Sequence, residues 1–188
     1  MGTDFKLIPY GISNFKQVRS ENKYLVDKTM YFEKMEQAGN FLFLVRPRRF
    51  GKSLFLNMLE AYYDVNEKSG FEELFSGLYV ADHPTENRNK YQVMHLDFSR
   101  VWSDVDRLQY NFDCYLSLRC ESFAKAYAAF YPGNIVDEIK QIQGGEQRLN
   151  FINDVARNAG SKLYLIVDEY DNFTNNVLNI KGHDAYHA

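Results

Sequence analysis

Two continuous apolar runs of five residues constrain the fold of this chain more than any other feature. The runs are Phe41-Leu42-Phe43-Leu44-Val45 and Leu163-Tyr164-Leu165-Ile166-Val167. A run of this length without a charged position is typical of a strand that is buried on both faces, because a half-buried strand would alternate apolar and polar residues. We therefore predict two central strands of a covered sheet.

Helical spacing follows the first run, since apolar residues return to one face from Ser53 onward. The residues on this face are Phe55, Met58, Leu59, Tyr62 and Tyr63. A further strand is predicted from Tyr91 to Phe98, and helices are predicted over about 103–131, 135–142 and 147–159. Strands that alternate with helices predict an α/β fold with a parallel sheet flanked by helices.

Length and charge limit the class of protein. With 188 residues, of which 45% are hydrophobic, the chain can bury one substantial core but is short for two independent domains. We expect a single domain over residues 1–188. The formal net charge of -3 provides no overall positive field for a polyanion such as DNA, so a nucleic-acid role would need a local basic patch.

The N-terminal segment and the cysteines bear on the cellular compartment. Residues 1–12 lack the continuous apolar run of a signal peptide, and no apolar stretch approaches the ~18 residues of a membrane span. Cys114 and Cys120 point to different faces of a predicted helix, which argues against a disulfide and fits a reducing environment. These observations predict a cytoplasmic protein with no membrane partner.

A basic loop with one glycine joins the first apolar run to its helix. Its sequence is Arg46-Pro47-Arg48-Arg49-Phe50-Gly51-Lys52-Ser53, in the position of the phosphate loop of P-loop nucleotidases. A glycine at a helix N-terminus lets phosphate oxygens approach backbone N–H groups. Lys52 would contact the β and γ phosphates and assist catalysis, and the Ser53 hydroxyl suits magnesium. The predicted nucleotide-binding residues are Arg48, Arg49, Phe50, Gly51, Lys52, Ser53 and Leu54.

The loop departs from the general phosphate-loop consensus. The glycine expected five positions before Gly51 is Arg46, and Pro47 has no N–H to donate. Phosphate contacts must then come from later residues, where Arg48 and Arg49 would add positive charge. Two alternatives remain open: these arginines are solvated surface residues, or the whole loop is an ordinary strand-to-helix turn.

Two carboxylates end the second apolar run. Asp168 and Glu169 lie where a parallel strand meets the ligand-binding edge of an α/β sheet, as in a Walker B motif. Asp168 would hold magnesium through water, and Glu169 would orient or deprotonate the water that attacks the γ phosphate. The alternative is that acidic residues merely end a strand. Asp171 is a candidate partner for these groups, although a helix cap or a solvated turn is the simpler explanation for it.

Four segments together carry a family resemblance. They are Ile8-Pro9-Tyr10-Gly11-Ile12-Ser13-Asn14-Phe15, Tyr24-Leu25-Val26-Asp27-Lys28-Thr29, the loop from Arg46 to Ser53, and Val167-Asp168-Glu169-Tyr170-Asp171. In these segments the chain resembles the bacterial AAA-ATPase-like family, of which the glycine-poor loop is itself a mark. The resemblance covers essentially all 188 residues.

This resemblance implies a P-loop fold in which a further strand, with a sensor residue, lies between the phosphate-loop strand and the Walker B strand. That strand should follow Asp171, where only a polar segment remains, so we expect an incomplete sheet and a truncated copy. Relatives often continue into a restriction-nuclease-like domain. An unfilled slot would expose strand edges, so we expect the two strands to close up or a second chain to pair there.

Several other residues are weaker candidates. The segment that contains Thr29 often passes near the base in this family, although Thr29 more simply caps a helix that starts at Met30. Asp97 and Ser99 are on the predicted ligand edge of the sheet. His183 and His187 have a spacing compatible with metal binding but no further ligands nearby, and the aromatic helix from Tyr110 to Tyr131 is better explained as core than as a base-stacking platform.

The residues and the resemblance support one leading hypothesis, an ATP-binding P-loop domain of an ATPase with ATP and Mg²⁺ as cofactors. Lys52 and Glu169 are the predicted catalytic residues, and Ser53 and Asp168 the predicted magnesium ligands. The alternative is a non-catalytic nucleotide switch or interaction module that binds ATP without turnover. A nucleic-acid-processing role rests only on family association and on the basic loop.

Overall fold

The computed structural model describes residues 5–45, 47, 49–101 and 107–170, which divide between two compact units. The first unit, Met1–Tyr91, contains the helices α1 (Phe15–Ser20), α2 (Tyr31–Ala38), α3 (Lys52–Tyr63), α4 (Phe71–Phe75) and α5 (Tyr79–Asp82), with a 3-10 helix at Val65–Gly70. The second unit, Gln92–Ala188, contains the strands β1 (Tyr91–Asp97) and β2 (Lys162–Asp168) and the helices α6 (Leu108–Ala126), α7 (Ile135–Gln141) and α8 (Gly145–Asn158).

Helix α3 carries much of the core of the first unit. The apolar face predicted from its spacing is confirmed, because all five of its residues are buried: Phe55, Met58, Leu59, Tyr62 and Tyr63. The Tyr62 ring lies 4.8 Å from that of Phe32 on α2 and 5.7 Å from that of Phe75 on α4, measured between centroids. This packing fixes the position of α3 against α2 and α4.

The first apolar run does not form the predicted buried strand. Residues 41–45 have no regular secondary structure, and the side chains of Phe41, Phe43 and Val45 are 94%, 84% and 84% exposed. A strand needs the N–H and C=O groups of a neighbouring strand, and the described residues of the first unit contain no strand apart from the first residue of β1. The prediction of a buried strand over these residues is therefore wrong.

The sheet in the second unit consists of β1 and β2, which pair in parallel, so the predicted mixed α/β class is confirmed. Tyrosine hydroxyls of the second unit cover the other edge of β1. The Val93 N–H donates to the Tyr127 hydroxyl at 2.8 Å, and the Asp97 N–H donates to the Tyr115 hydroxyl at 2.7 Å. These bonds satisfy backbone groups that an open edge would leave to solvent.

Burial along β2 differs from the prediction. The strand itself is confirmed, but its side chains alternate: Ile166 and Asp168 are buried, while Leu165 and Val167 are 53% and 38% exposed. Helix α8 packs against β2 and against α6. One face of the strand is thus covered, and the prediction that both faces are buried is wrong.

Helices α6, α7 and α8 confirm the helical stretches expected in the second half of the chain. The aromatic helix is mainly core as predicted, since Phe123 and Tyr127 are buried, although Tyr110 is 66% exposed. Cys114 is an exposed free thiol and Cys120 is a buried one. Among the helices of the described residues, none combines the length and apolar character needed to cross a bilayer.

The close approach of α8 to α6 requires a glycine at position 145. A methyl group on Gly145 would lie 2.8 Å from the backbone oxygen of Asp113 and 2.8 Å from Leu116 Cβ. Since backbone cannot yield as a flexible side chain does, we expect Gly145→Ala to lower the free energy of unfolding by about 1–3 kcal/mol. Chemical denaturation followed by circular dichroism measures this difference.

Gly70→Ala is the matched control for this substitution. The nearest atom to a methyl group on Gly70 is Leu74 Cδ1 at 3.9 Å, and the φ of -91° suits an alanine. Its effect on stability should be small, because nothing has to move. Equal denaturation midpoints for the two variants would contradict the packing argument.

Candidate functional site

Gly51 sits at the N-cap of α3 in the left-handed conformation, with φ 75° and ψ 30°. A methyl group there would find only Lys28 Nζ within 4 Å, at 3.8 Å, so the backbone angle and not crowding requires the glycine. The Phe50 N–H donates to the Pro47 carbonyl at 3.3 Å, which closes a turn immediately before Gly51. A tight turn therefore leads directly into α3.

Lys52, Ser53 and Leu54 form the first turn of α3 and are all half-buried. The N-terminus of a helix directs backbone N–H groups and the positive end of the helix dipole toward an anion. Gly51 has no side chain with which to occupy these groups, and the first turn contains no acidic residue. The first turn thus has the features that favour phosphate.

A lysine in the first turn of a helix opposes the dipole and contributes nothing to helix stability there. The segment from Phe41 to Leu59 nevertheless contains four basic residues and no acidic one, in a chain whose net charge is -3. Arg49, in the same loop, has φ 69°, a conformation that costs energy for any residue with a side chain. Positive charge is concentrated here despite an unfavourable local energy.

Lys28 also reaches this loop, although the sequence predicted no role for it. Its Nζ donates to the carbonyl oxygen of Phe50 at 3.4 Å, and the side chain is half-buried. The contact spans 22 positions of sequence, so no local pattern announces it. The one available signal is the Asp27-x-Thr29 spacing, which is typical of a turn closed by a side chain.

Thr29 does not cap α2 as predicted. The N-cap residue of α2 is Met30, without a side-chain hydrogen bond, and Thr29 is 1% exposed. The Thr29 hydroxyl donates to Asp27 Oδ1 at 2.7 Å and accepts from the Val80 N–H at 3.1 Å. The hydroxyl bonds to a neighbouring carboxylate and to a backbone N–H group 51 positions away, so the prediction of a helix cap is wrong.

Asp168 and Glu169 end β2 in the second unit, and their placement there follows the prediction. Asp168 is 5% exposed and its Oδ1 accepts from the Glu169 N–H at 2.9 Å. Glu169 is half-buried and has φ 53°, again in the left-handed region that disfavours side chains. Backbone strain of this kind clusters at functional sites, where surrounding contacts hold it in place.

Asp97 and Ser99 lie at the same sheet edge, since the carboxyl ends of paired parallel strands meet there. Asp97 Oδ1 accepts from the Ser99 hydroxyl at 2.6 Å, and Oδ2 accepts from Arg100 Nε at 3.1 Å. Burial raises the pKa of the Asp97 carboxyl, but these hydrogen bonds outweigh it and leave the pKa below its usual value. Asp97 is therefore an ionised carboxylate held in a fixed orientation.

The remaining candidates are the cysteines, a metal site and several positions outside the described residues. Burial raises the pKa of the Cys120 thiol to about 11, so it is protonated at neutral pH and unsuited to nucleophilic attack. In the parts of the chain that the structure describes, no three His, Cys, Asp or Glu side chains group as metal ligands. The positions that lie outside the described residues are Arg46, Arg48, Asp171, His183, His187 and the region of the expected sensor strand.

Comparisons with known proteins give a family and a relative for this chain. A family model described as "Predicted AAA-ATPase" matches residues 9–188. A protein of Azotobacter chroococcum mcd 1, described as "Uncharacterized protein in vnfD 5'region", is 39% identical over 94 residues. The aligned part is 50% of this chain and 17% of that protein. No solved structure matches the chain.

Proposed function

This chain belongs to the AAA-ATPase-like family, and from that premise we propose that it binds ATP with Mg²⁺ at the loop before α3 and hydrolyses the γ phosphate. Family membership implies nucleotide binding and, usually, the use of magnesium. The observation that carries the proposal is the left-handed Gly51 at the N-cap of α3, with Lys52 and Ser53 in the first turn. This arrangement offers backbone N–H groups, a helix dipole and an ammonium group to one anion.

The loop residues have different proposed roles in nucleotide binding. Backbone N–H groups from Gly51 to Leu54 would face the phosphates, and Lys52 would neutralise charge on the β and γ phosphates. Arg49 is exposed on the same loop and would add positive charge at its mouth. Arg48 has the same proposed role from its sequence position alone.

The proposed magnesium ligands fit the ion. Ser53 supplies a hydroxyl oxygen and Asp168 a carboxylate, and Mg²⁺ prefers such hard oxygen donors together with water and phosphate. When bound, the ion would neutralise charge that develops on the transferred phosphoryl group. Glu169 would orient the attacking water and accept its proton, in the role of a general base.

Calorimetric titration with ATP and with GTP, each with magnesium, tests the binding proposal. We expect saturable heat for ATP and weaker or no heat for GTP, because adenine is the base that the family description implies. Chelation of magnesium by EDTA should weaken ATP binding, since the ion screens the phosphates from one another. No heat with either nucleotide would overturn the proposal.

A further inference from the structure

We propose that Lys28 is a second phosphate-recognising lysine, which positions the loop before α3 and places a positive charge against the phosphates of the bound nucleotide. The inference rests on the nucleotide-binding function proposed above. Its starting point is the contact of Lys28 Nζ with the carbonyl oxygen of Phe50, the residue directly before Gly51.

A network on either side of Lys28 fixes its backbone. Asp27 Oδ1 accepts from both the N–H and the hydroxyl of Thr29, at 2.8 and 2.7 Å. Asp27 Oδ2 accepts from the Tyr79 N–H at 2.7 Å, and the Thr29 hydroxyl accepts from the Val80 N–H at 3.1 Å. Residues 27 and 29 are thereby fastened to the start of α5, and the residue between them is held with little freedom.

The backbone of Lys28 is also tied to α2, because its carbonyl oxygen accepts from the Tyr31 N–H at 3.1 Å. Since a lysine side chain loses considerable rotamer entropy when it is ordered, a fixed backbone lowers the cost of presenting the ammonium at one place. Lys28 is thus preorganised to serve the loop.

The position of the ammonium suits an anion at the start of α3. Lys28 Nζ lies 3.8 Å from where a Gly51 methyl group would be, so it flanks the left-handed turn itself. An ammonium has three N–H donors, so it can bond to more than one oxygen atom. A phosphate oxygen in the loop would receive a charge-assisted bond from Lys28 as well as from Lys52.

The test is the affinity for Mg·ATP of Lys28→Met and Lys28→Arg, measured by calorimetry at several salt concentrations. We expect Lys28→Met to weaken binding roughly tenfold or more, as for the loss of one charge-assisted bond. The affinity of this variant should also depend less steeply on salt than that of the unmodified protein, because salt screens the missing attraction. Lys28→Arg should restore most of the affinity.

Lys34→Met is the matched control, because Lys34 is an exposed lysine of α2 whose Nζ lies 5.7 Å from the Tyr31 ring centroid. It removes the same charge away from the loop and should leave the affinity unchanged. Should Lys28→Met prove unfolded by circular dichroism, Lys28→Gln, which retains a donor, is measured in its place.

Two outcomes would overturn the inference alone. One is an equal affinity for ATP in the unmodified protein and in Lys28→Met. The other is an equal loss in Lys28→Met and Lys28→Arg with an unchanged salt dependence, which would indicate a purely structural role. An unmodified protein that binds no ATP would overturn the proposed function and this inference with it.

Discussion

Lys52→Met is expected to weaken Mg·ATP binding by roughly 10- to 100-fold, because a charge-assisted bond to phosphate contributes about 1.5–3 kcal/mol. The same substitution should leave the melting temperature unchanged or raise it slightly. Lys52 opens α3, where its charge opposes the helix dipole, and methionine retains the apolar stem and a similar helix propensity. Calorimetry and thermal denaturation measure the two effects.

A loss of ATP affinity without a loss of stability makes this prediction specific. Removal of a lysine that stabilises the fold would lower both the ATP affinity and the melting temperature. Removal of a lysine that contacts phosphate would lower the ATP affinity alone. Lys34→Met again removes one positive charge from an exposed position of α2 and should change neither quantity. Unaltered ATP affinity in Lys52→Met would contradict the role given to the loop.

Glu169→Gln should lower the rate of phosphate release by roughly 10²–10⁴-fold, the usual contribution of a positioned general base. Glutamine has nearly the same shape and removes only the charge and the basicity, so the affinity for Mg·ATP should stay within about threefold. A coupled assay of phosphate release and a parallel titration separate turnover from binding.

Glu138→Gln is the control for this second substitution, since Glu138 is an exposed residue of α7. Phosphate release should be unaffected in it. If the unmodified protein binds ATP but, like Glu169→Gln, releases phosphate only at the background rate, the chain is a nucleotide-dependent switch and not an ATPase. Equal, substantial rates in the two proteins would instead assign the general base to another residue.

Elements whose cause is local were predictable from the sequence. Helix α3 was predictable because its apolar residues recur with helical spacing and because the helix begins directly after a glycine. Strands β1 and β2 were located within a residue or two of their observed ends, since β2 contains a continuous apolar run and β1 contains Val93, Met94 and Leu96 in a short extended pattern. The placement of Asp168 and Glu169 at a strand end followed directly from that.

Features that depend on distant partners were not predictable. Residues 41–45 have the composition of a buried strand, but strand formation requires a neighbour that composition cannot supply. The buried hydroxyl of Thr29 bonds to Val80, 51 positions away, and Lys28 contacts Phe50 across 22. The exposed face of β2 likewise reflects what packs against the strand and not what the strand contains.

The left-handed backbone at Glu169 lowers protein stability at the residue proposed as the general base. An L-residue with a long side chain costs roughly 1–2 kcal/mol in this conformation, and asparagine or glycine would cost less. A library screened for heat resistance alone would therefore favour such replacements at position 169 and discard the carboxylate. Retention of glutamate there under a screen for turnover, but not under one for thermal stability, would trace the strain to selection for activity.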